Sequence, residues 1–454
     1  MIANNIFTLI FFSFCAILLI YALPNELKRY SLFVLNFVFY FLLSPYCVFL
    51  ILLSTIVSFF IGQKITSSQH AKLWLISGII FSVSILLFFK YYHFFTDRFS
   101  GAIKIIMPLG LSYYTFKIIS YLADIYIKKR SAEPSFINYS IYIGFFPQIM
   151  AGPISNSNEI LDSLPQLGHA TSIMKANSFS LIISGLFKKI VIADRISVYT
   201  DQIFATPNNY PSIALILSSI LYSIQIYCDF SGYSDISIGV SGFMGIKCSP
   251  NFDLPYFSYS IQDFWRRWHI SLSSWLKKYI YIPLGGNRHG KIRRYINILI
   301  TFLISGAWHG NSLTYIVWGL FHGICNLFSF TQRASRKIVY SLQILFTFLC
   351  VTIGWIIFRS TSLNIAFLYI RHMFIDIQLN TTEIVASLLP FTNDYSCLAY
   401  FVSLCILIII LFYVELCEFR QKVTCLYLRR NYIFILCIIF FGIWGQSNFL
   451  YANF

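Results

Sequence analysis

Two histidines in a mostly apolar chain carry the residue types and surroundings that proton transfer needs. The first lies in Ile304-Ser-Gly-Ala-Trp-His-Gly-Asn-Ser312. The nearest basic cluster ends at Arg294, and a helix starting there, rising ~1.5 Å per residue, carries His309 ~22 Å into a bilayer. Ionisable groups at such depth are rare and face a cavity or line a pathway. Gly306, Ala307 and Gly310 leave room for a ligand chain beside the imidazole. A structural histidine bonded to a neighbouring helix is the plainer alternative. No serine-hydrolase elbow, P-loop, dinucleotide fingerprint or H-E-x-x-H pair is present. A buried imidazole is therefore the general base this sequence offers.

The second histidine lies in Ser260-Ile-Gln-Asp-Phe-Trp-Arg-Arg-Trp-His-Ile-Ser-Leu-Ser-Ser-Trp-Leu-Lys-Lys278. Ser260 followed by Asp263 is a capping-box start. Trp265, Trp268, His269, Leu272 and Trp275 recur at helical spacing, which predicts one amphipathic helix with tryptophans at headgroup depth. A plain interfacial anchor accounts for the Trp and Arg residues equally well. His269 fits that account less well, because it sits on the aromatic face. Asp229 and Asp235 flank Gly232, where the spacing predicts a break in a hydrophobic segment. Such carboxylates orient a histidine, bind a polar head group or merely cap helix ends. Tyr281-Ile-Pro-Leu-Gly-Gly-Asn-Arg288 predicts a tight loop whose backbone N–H groups and Arg288 meet phosphates, although positive-inside bias explains the arginine as well.

The elements that position these groups follow from composition. The 454 residues are 57% hydrophobic and only 11% charged, too few polar residues to cover a water-facing surface. Continuous apolar runs at Ile6–Tyr21, Leu32–Leu43, Tyr46–Ile61, Leu73–Phe89, Ile213–Tyr227, Ile338–Phe358, Leu398–Val414 and Tyr432–Trp444 are not alternating, so they predict helices and not a barrel. The expected fold is an all-α polytopic membrane protein with about 11 to 13 spanning or re-entrant helices, forming a single membrane domain over 1–454. The first apolar run lacks a basic flank and a cleavage site, so it reads as a retained helix. The net charge of +16 does not indicate nucleic acid, because the basic residues punctuate the apolar runs. That bias places Lys28-Arg29, Lys277 to Arg294 and Arg420 to Arg430 on the cytoplasmic side. The 11 cysteines form no C-x-x-C pair, so neither zinc nor a disulfide framework is expected.

The motifs resemble the membrane-bound O-acyltransferase family, in its bacterial alginate and peptidoglycan O-acetylation branch. The matching stretches are Met107–Phe116, Phe145–Pro153, Gly185–Asp194, Ile226–Asp235, Asp263–Ser273, Tyr279–Arg288 and Ser305–Gly323, in the family's order. They span 107–323, a core with broken helices between flanking transmembrane helices at 1–106 and 324–454. The resemblance implies a helical bundle around a polar tunnel in the bacterial inner membrane. It implies His309 as the catalytic residue, with His269 as the second family histidine. Asp229, Asp235, Asp263, Trp265, Arg266, Asn287, Arg288, Trp308, Asn311 and His322 are the candidate substrate or donor positions, with no metal and no bound cofactor. The implied donor is an acyl-CoA, with acetyl favoured, and the implied acceptor is a cell-surface polysaccharide. With no extracytoplasmic catalytic domain among these residues, a periplasmic esterase-like (SGNH) partner or direct acceptor entry is expected. D-alanyl transfer toward teichoic acid is the alternative within the family. A glycan exporter or proton-coupled transporter is the alternative outside it, although the paired broken helices of such proteins are not found.

Overall fold

The structure is a computed structural model that describes residues 6–96, 107–330, 332–375, 387, 397–419 and 426–443. The helices are α1 (Ile6–Ala22), α2 (Asn25–Leu43), α3 (Val48–Ser67), α4 (Ala71–Thr96), α5 (Leu111–Tyr126), α6 (Phe136–Gly144), α7 (Ser157–Leu161), α8 (Ser172–Leu186) and α9 (Asp194–Ala205). They continue as α10 (Ser212–Phe243), α11 (Ile261–Arg267), α12 (Ile270–Leu276), α13 (Gly290–His309), α14 (Leu313–Leu327), α15 (Lys337–Arg359), α16 (Leu363–Ile375), α17 (Cys397–Phe419) and α18 (Leu426–Phe441). Every apolar run of the sequence lies largely within a helix. Among the described residues, five helical segments are long and apolar enough to cross a membrane, and shorter apolar helices accompany them. The chain is a multi-pass membrane protein. Residues 420–425 of the basic cluster Arg420 to Arg430, and Trp444, lie outside the described residues.

The described residues fall into two compact units, those within 6–182 and 234–250 in one, and those within 183–233 and 251–443 in the other. In the first unit α5 is buried along nearly its whole length. Tyr121, Tyr139 and Tyr142 cluster there, and the Tyr139 hydroxyl donates to Ser58 Oγ at 2.7 Å. Lys28, which the charge pattern places on the cytoplasmic side, is buried with its Nζ donating to Asn25 Oδ1 at 2.8 Å.

In the second unit, α13 and α14 form an antiparallel pair through glycines. A Cβ on Gly306 would strike the Tyr315 carbonyl, and one on Gly319 would strike the Phe302 carbonyl. This is the small-residue approach by which membrane helices gain close van der Waals packing. α15 then runs back beside α14, with Gly354 against the His322 ring.

Two expectations about local structure fail here. α10 is continuous from Ser212 to Phe243, with no break at Gly232. That glycine is a close approach, because a Cβ on it would lie 2.8 Å from the Gly185 carbonyl and 3.3 Å from Lys188 Cβ. The Ser260–Lys278 segment is not one helix: α11 ends at Arg267, His269 adopts φ +43°, and α12 starts at Ile270. Its tryptophans are packed inside the protein, since Trp265, Trp268 and Trp275 expose only 9%, 1% and 8% of their surface. The Ser260 cap is as expected, its hydroxyl accepting from the Asp263 N–H at 3.1 Å.

Candidate active site

All of the following geometry belongs to the second unit. His269 sits at the α11–α12 junction in the left-handed region, which a residue with a Cβ enters only when its surroundings hold it there. Asn251 supplies that hold. Its carbonyl accepts from the Ile270 N–H at 2.9 Å, and its Oδ1 accepts from the Ser271 N–H at 3.2 Å and the Ser271 hydroxyl at 2.9 Å. A backbone N–H only donates, so the amide orientation of Asn251 is fixed. His269 Nδ1, 3.1 Å from the same oxygen, must therefore carry its proton, and the neutral ring presents its lone pair on Nε2. Phe230 packs edge-on against this ring at 4.7 Å. Burial pushes the imidazole down to about 3, so His269 is neutral at physiological pH.

His309 is the last residue of α13 and is almost wholly enclosed. Trp308 lies 4.8 Å from it, Trp318 5.0 Å and Phe358 5.4 Å between ring centroids, all edge-to-face. Trp308 also reaches the His269 ring at 6.3 Å, so one indole connects the two sequence-predicted histidines. On the other side, Trp318 lies 5.1 Å from His322, and Trp265 meets His322 at 5.2 Å and 89°. Three imidazoles thus alternate with tryptophans in one buried aromatic cluster. His322 is fully enclosed, and neither ring nitrogen has a hydrogen-bond partner among the described residues. An added Cβ on Gly354 would come within 2.5 Å of His322 Nε2, so the glycine is what lets this ring lie flat between α14 and α15.

A cavity of about 410 Å³ opens beside the cluster. Its lining includes Arg266, Lys277, Asn287, Arg294, Trp265 and Ser305, and no carboxylate among the described residues. Arg294 belongs to the first turns of α13, and Ser305 lies four residues, about one turn, before His309. The cavity therefore follows α13 from its basic start to within a turn of the enclosed histidine. Trp265 is the shared wall, lining the cavity and touching His322.

The remaining sequence candidates are placed differently. Asp229 is buried in an ion pair with Lys189 Nζ at 2.7 Å, and Lys189 also holds Asp194 at 2.9 Å. Lys188 pairs with Glu415 at 3.4 Å. Lys188 and Lys189 are thus buried cations held by carboxylates, and the ion pair of Asp229 is with a lysine. Asp235 lies in the part of α10 that belongs to the first unit. Asp263 pairs with Arg267 at 3.1 Å. Arg288 is exposed and does not line the cavity, while Asn287 lines it and accepts from the Tyr281 hydroxyl. Asn311 is exposed in the turn after His309. Sequence reasoning missed Asn251 beside His269, and Phe358 and Trp318 beside His309. Trp318 stands in the Trp-Gly-Leu-Phe-His-Gly stretch, whose four-residue spacing from Trp318 to His322 already put both rings on one helix face.

Comparison with known proteins gives one consistent answer. The model of the membrane-bound O-acyltransferase family matches residues 5–367. A probable alginate O-acetylase of Pseudomonas aeruginosa is 37% identical over 339 residues, covering 70% of this chain and 64% of that protein. A peptidoglycan O-acetyltransferase of Helicobacter pylori is 36% identical over 361 residues, covering 70% of this chain and 68% of its own length. A teichoic acid D-alanyltransferase of Bacillus subtilis is 28% identical over 286 residues, covering 57% and 70%. The chain spans 63% to 64% of the length of the alginate O-acetylases of Pseudomonas syringae and Pseudomonas aeruginosa that it matches.

Proposed function

The chain belongs to the membrane-bound O-acyltransferase family, and on that premise we propose that it transfers an acetyl group from acetyl-CoA to a hydroxyl acceptor with His309 as general base. The donor enters the cavity from the cytoplasmic face. Arg266, Lys277 and Arg294 meet its phosphates, and the pantetheine arm leads the thioester along α13 past Ser305. A volume of about 410 Å³ falls in the range of ligand pockets. His309 takes the acceptor hydroxyl's proton as its oxygen attacks the thioester carbonyl. The tetrahedral intermediate then collapses, the C–S bond breaks, and the imidazolium returns the proton to the departing CoA thiolate. His309 ends α13, where the terminal carbonyls of the helix carry partial negative charge, which suits a residue that takes up a proton during the reaction. His269, neutral and fixed by Asn251, orients Trp308 against His309 and remains a donor-positioning residue.

One observation carries this reading: an enclosed histidine lies one turn beyond the end of a cavity lined by three cations. The acceptor is a cell-surface polysaccharide, reached directly or through an esterase-like partner of the SGNH type, and the protein resides in the bacterial inner membrane. Identities of 36% to 37% to O-acetylating relatives, against 28% to the D-alanyl-transferring one, favour acetyl over D-alanine. The experiment is His309→Gln, which keeps a hydrogen-bonding side chain but takes no proton at neutral pH. Acetyl transfer from radiolabelled acetyl-CoA should fall by ~10²–10⁴ while expression and thermal midpoint stay near wild type. Near wild-type transfer by the glutamine variant would make His309 structural and end this assignment.

A further inference from the structure

The first unit holds a second cavity, of about 630 Å³, that the acyl-transfer chemistry does not use. It follows the seam between α8 and the end of α10, where glycines bring the two helices together. A Cβ on Gly242 would strike Ser178 Oγ, and one on Gly239 would lie 2.7 Å from the Ser178 carbonyl. Ile173, Met174, Leu181 and Ile238 give the seam an apolar lining, and Ile173 is 76% exposed. Beyond the helix ends the character changes. The loop Gln166–His169 is pinned to the turn after α10, with the Gly168 N–H donating to the Met244 carbonyl at 2.8 Å. Gly245, at φ +90°, leaves room there for the Gln166 carbonyl. His169 and Lys247 line this end of the cavity, and no carboxylate does so among the described residues. Glu159, which accepts from the Ser249 hydroxyl at 2.6 Å, lies outside the lining.

Behind His169 is a buried cation. Lys28 exposes 6% of its surface, and its Nζ lies under the loop, 2.7 Å from where a Cβ on Gly168 would stand. Asn25 Oδ1 accepts from Lys28 Nζ at 2.8 Å and lies 2.9 Å from His169 Nε2. A carbonyl oxygen only accepts, so Nε2 carries a proton too. Two donors 3.4 Å apart thus share one oxygen, and Lys28 forms no ion pair with a carboxylate among the described residues. A buried ammonium without a countercharge is costly, and an anion at this point would supply one. α8 begins here, with the Thr171 hydroxyl accepting from the Met174 N–H at 3.2 Å, and a helix N-terminus favours negative charge. Lys175 lies over the Tyr21 ring at 4.6 Å, and the Tyr21 hydroxyl donates to the Phe243 carbonyl at 2.9 Å. Cations and an aromatic ring at one level, where α1 and α10 end, mark a membrane interface.

We propose that this cavity binds one anionic phospholipid, with its phosphate among Lys28, His169 and Lys247 and one acyl chain along the α8–α10 seam. Basic pockets between membrane helices hold anionic headgroups in this way. The apolar seam that starts directly beside the cations selects a lipid over a free phosphate, because a soluble anion would leave Ile173 and Leu181 uncovered. The charge pattern puts this end of the unit on the cytoplasmic side, where anionic headgroups add to the attraction. The site stands apart from the acyl-transfer chemistry, and its test needs no activity.

The test uses the full chain, freed of lipid in detergent, and native mass spectrometry. The probes are palmitoyl-oleoyl phosphatidylglycerol, phosphatidylcholine with the same chains, and glycerol 3-phosphate. Wild type should retain one phosphatidylglycerol with a Kd about fivefold or more below that of phosphatidylcholine, and glycerol 3-phosphate should not compete. Lys247→Gln should raise the phosphatidylglycerol Kd about fivefold, the usual effect of removing one interfacial cation. Leu181→Trp, which fills the seam and leaves every cation in place, should weaken both lipids. Arg29→Gln removes an exposed cation outside the lining and should leave the Kd unchanged. Equal affinity for the two lipids, or equal weakening by Lys247→Gln and Arg29→Gln, would reduce the binding to diffuse surface attraction and overturn the proposal. Full lipid binding by Leu181→Trp, or competition by glycerol 3-phosphate, would overturn it by giving the cavity to a soluble phosphate compound.

Discussion

Two sets of basic residues in the second unit look alike along the chain and behave oppositely in the fold. Lys188 and Lys189 stand in the π-helical turn Phe187–Ala193, buried and paired with Glu415, Asp229 and Asp194 at 2.7 to 3.4 Å. Tyr227 adds a hydroxyl to Glu415 at 2.6 Å, and its ring packs toward Trp268 and Phe252 in the aromatic wall behind His269. Arg266, Lys277 and Arg294 instead face a cavity with no carboxylate in its lining among the described residues. The difference is where the countercharge comes from. In the first set it is built into the protein, so the charges hold helices together. In the second it is left for a ligand, so the charges recruit.

Breaking the first set should have the larger effect. Lys189→Met removes one cation and leaves two buried carboxylates without their partner, which costs ~3–5 kcal/mol by the usual penalty for splitting a buried pair. The expected outcome is poor accumulation and early aggregation on heating, followed by size-exclusion profiles of the solubilised protein. Normal yield and thermal midpoint with selectively lost acetyl transfer would move Lys189 from scaffold to active site and erase the contrast. Arg294→Gln tests the second set. Yield should be unaffected, while the KM for acetyl-CoA rises roughly two- to fivefold, since a partly solvated charge contributes ~0.5–1 kcal/mol. That rise should shrink at high salt. A salt-independent KM equal to wild type would remove the cavity from the donor path.

Between these sits a packing test of the aromatic cluster. Gly354→Ala places a methyl where only 2.5 Å separates it from His322 Nε2. α14 must shift or the His322 ring must tilt, and Trp318 stands between that ring and His309. Strain of this kind typically costs ~1–3 kcal/mol. A several-fold drop in kcat is expected, with a smaller rise in the acetyl-CoA KM because the cavity meets this ring only through Trp265.

What the sequence revealed and what it hid divide along the same line. Apolar runs set the spans because hydropathy is local, and the Ser260 cap was visible because its partner is three residues away. His309 was found from its distance to Arg294, which α13 preserves as one unbroken helix. The pairing of Lys188 with Glu415 and of Arg359 with Asp201 joins residues far apart in the chain, and no local pattern announces it. Gly232 was read as a break because glycine permits one, whereas a neighbouring carbonyl uses the same missing Cβ for close approach. The helix expected through Trp268 fails because Asn251, well upstream, captures the backbone of Ile270 and the side chains around it.

The smallest effect concerns that capture and the neutral state it enforces on His269. Its folded value lies near 3 against an ordinary 6.5, so at pH 7.5 the ring is neutral in both folded and unfolded protein and contributes no pH dependence. Below about 6.5 the unfolded chain binds a proton that the folded site refuses. Stability present above 6.5 is then lost progressively as pH falls toward about 3. His269→Asn retains an amide near Asn251 without a titrating ring. Its thermal midpoint should be lower than wild type at pH 7.5, because the φ +43° junction loses its fitted side chain. Between pH 7.5 and pH 5, however, its midpoint should fall less than that of wild type. Parallel declines in the two proteins would show that His269 is protonated in the fold, and would return it to the list of acid–base candidates from which burial removes it.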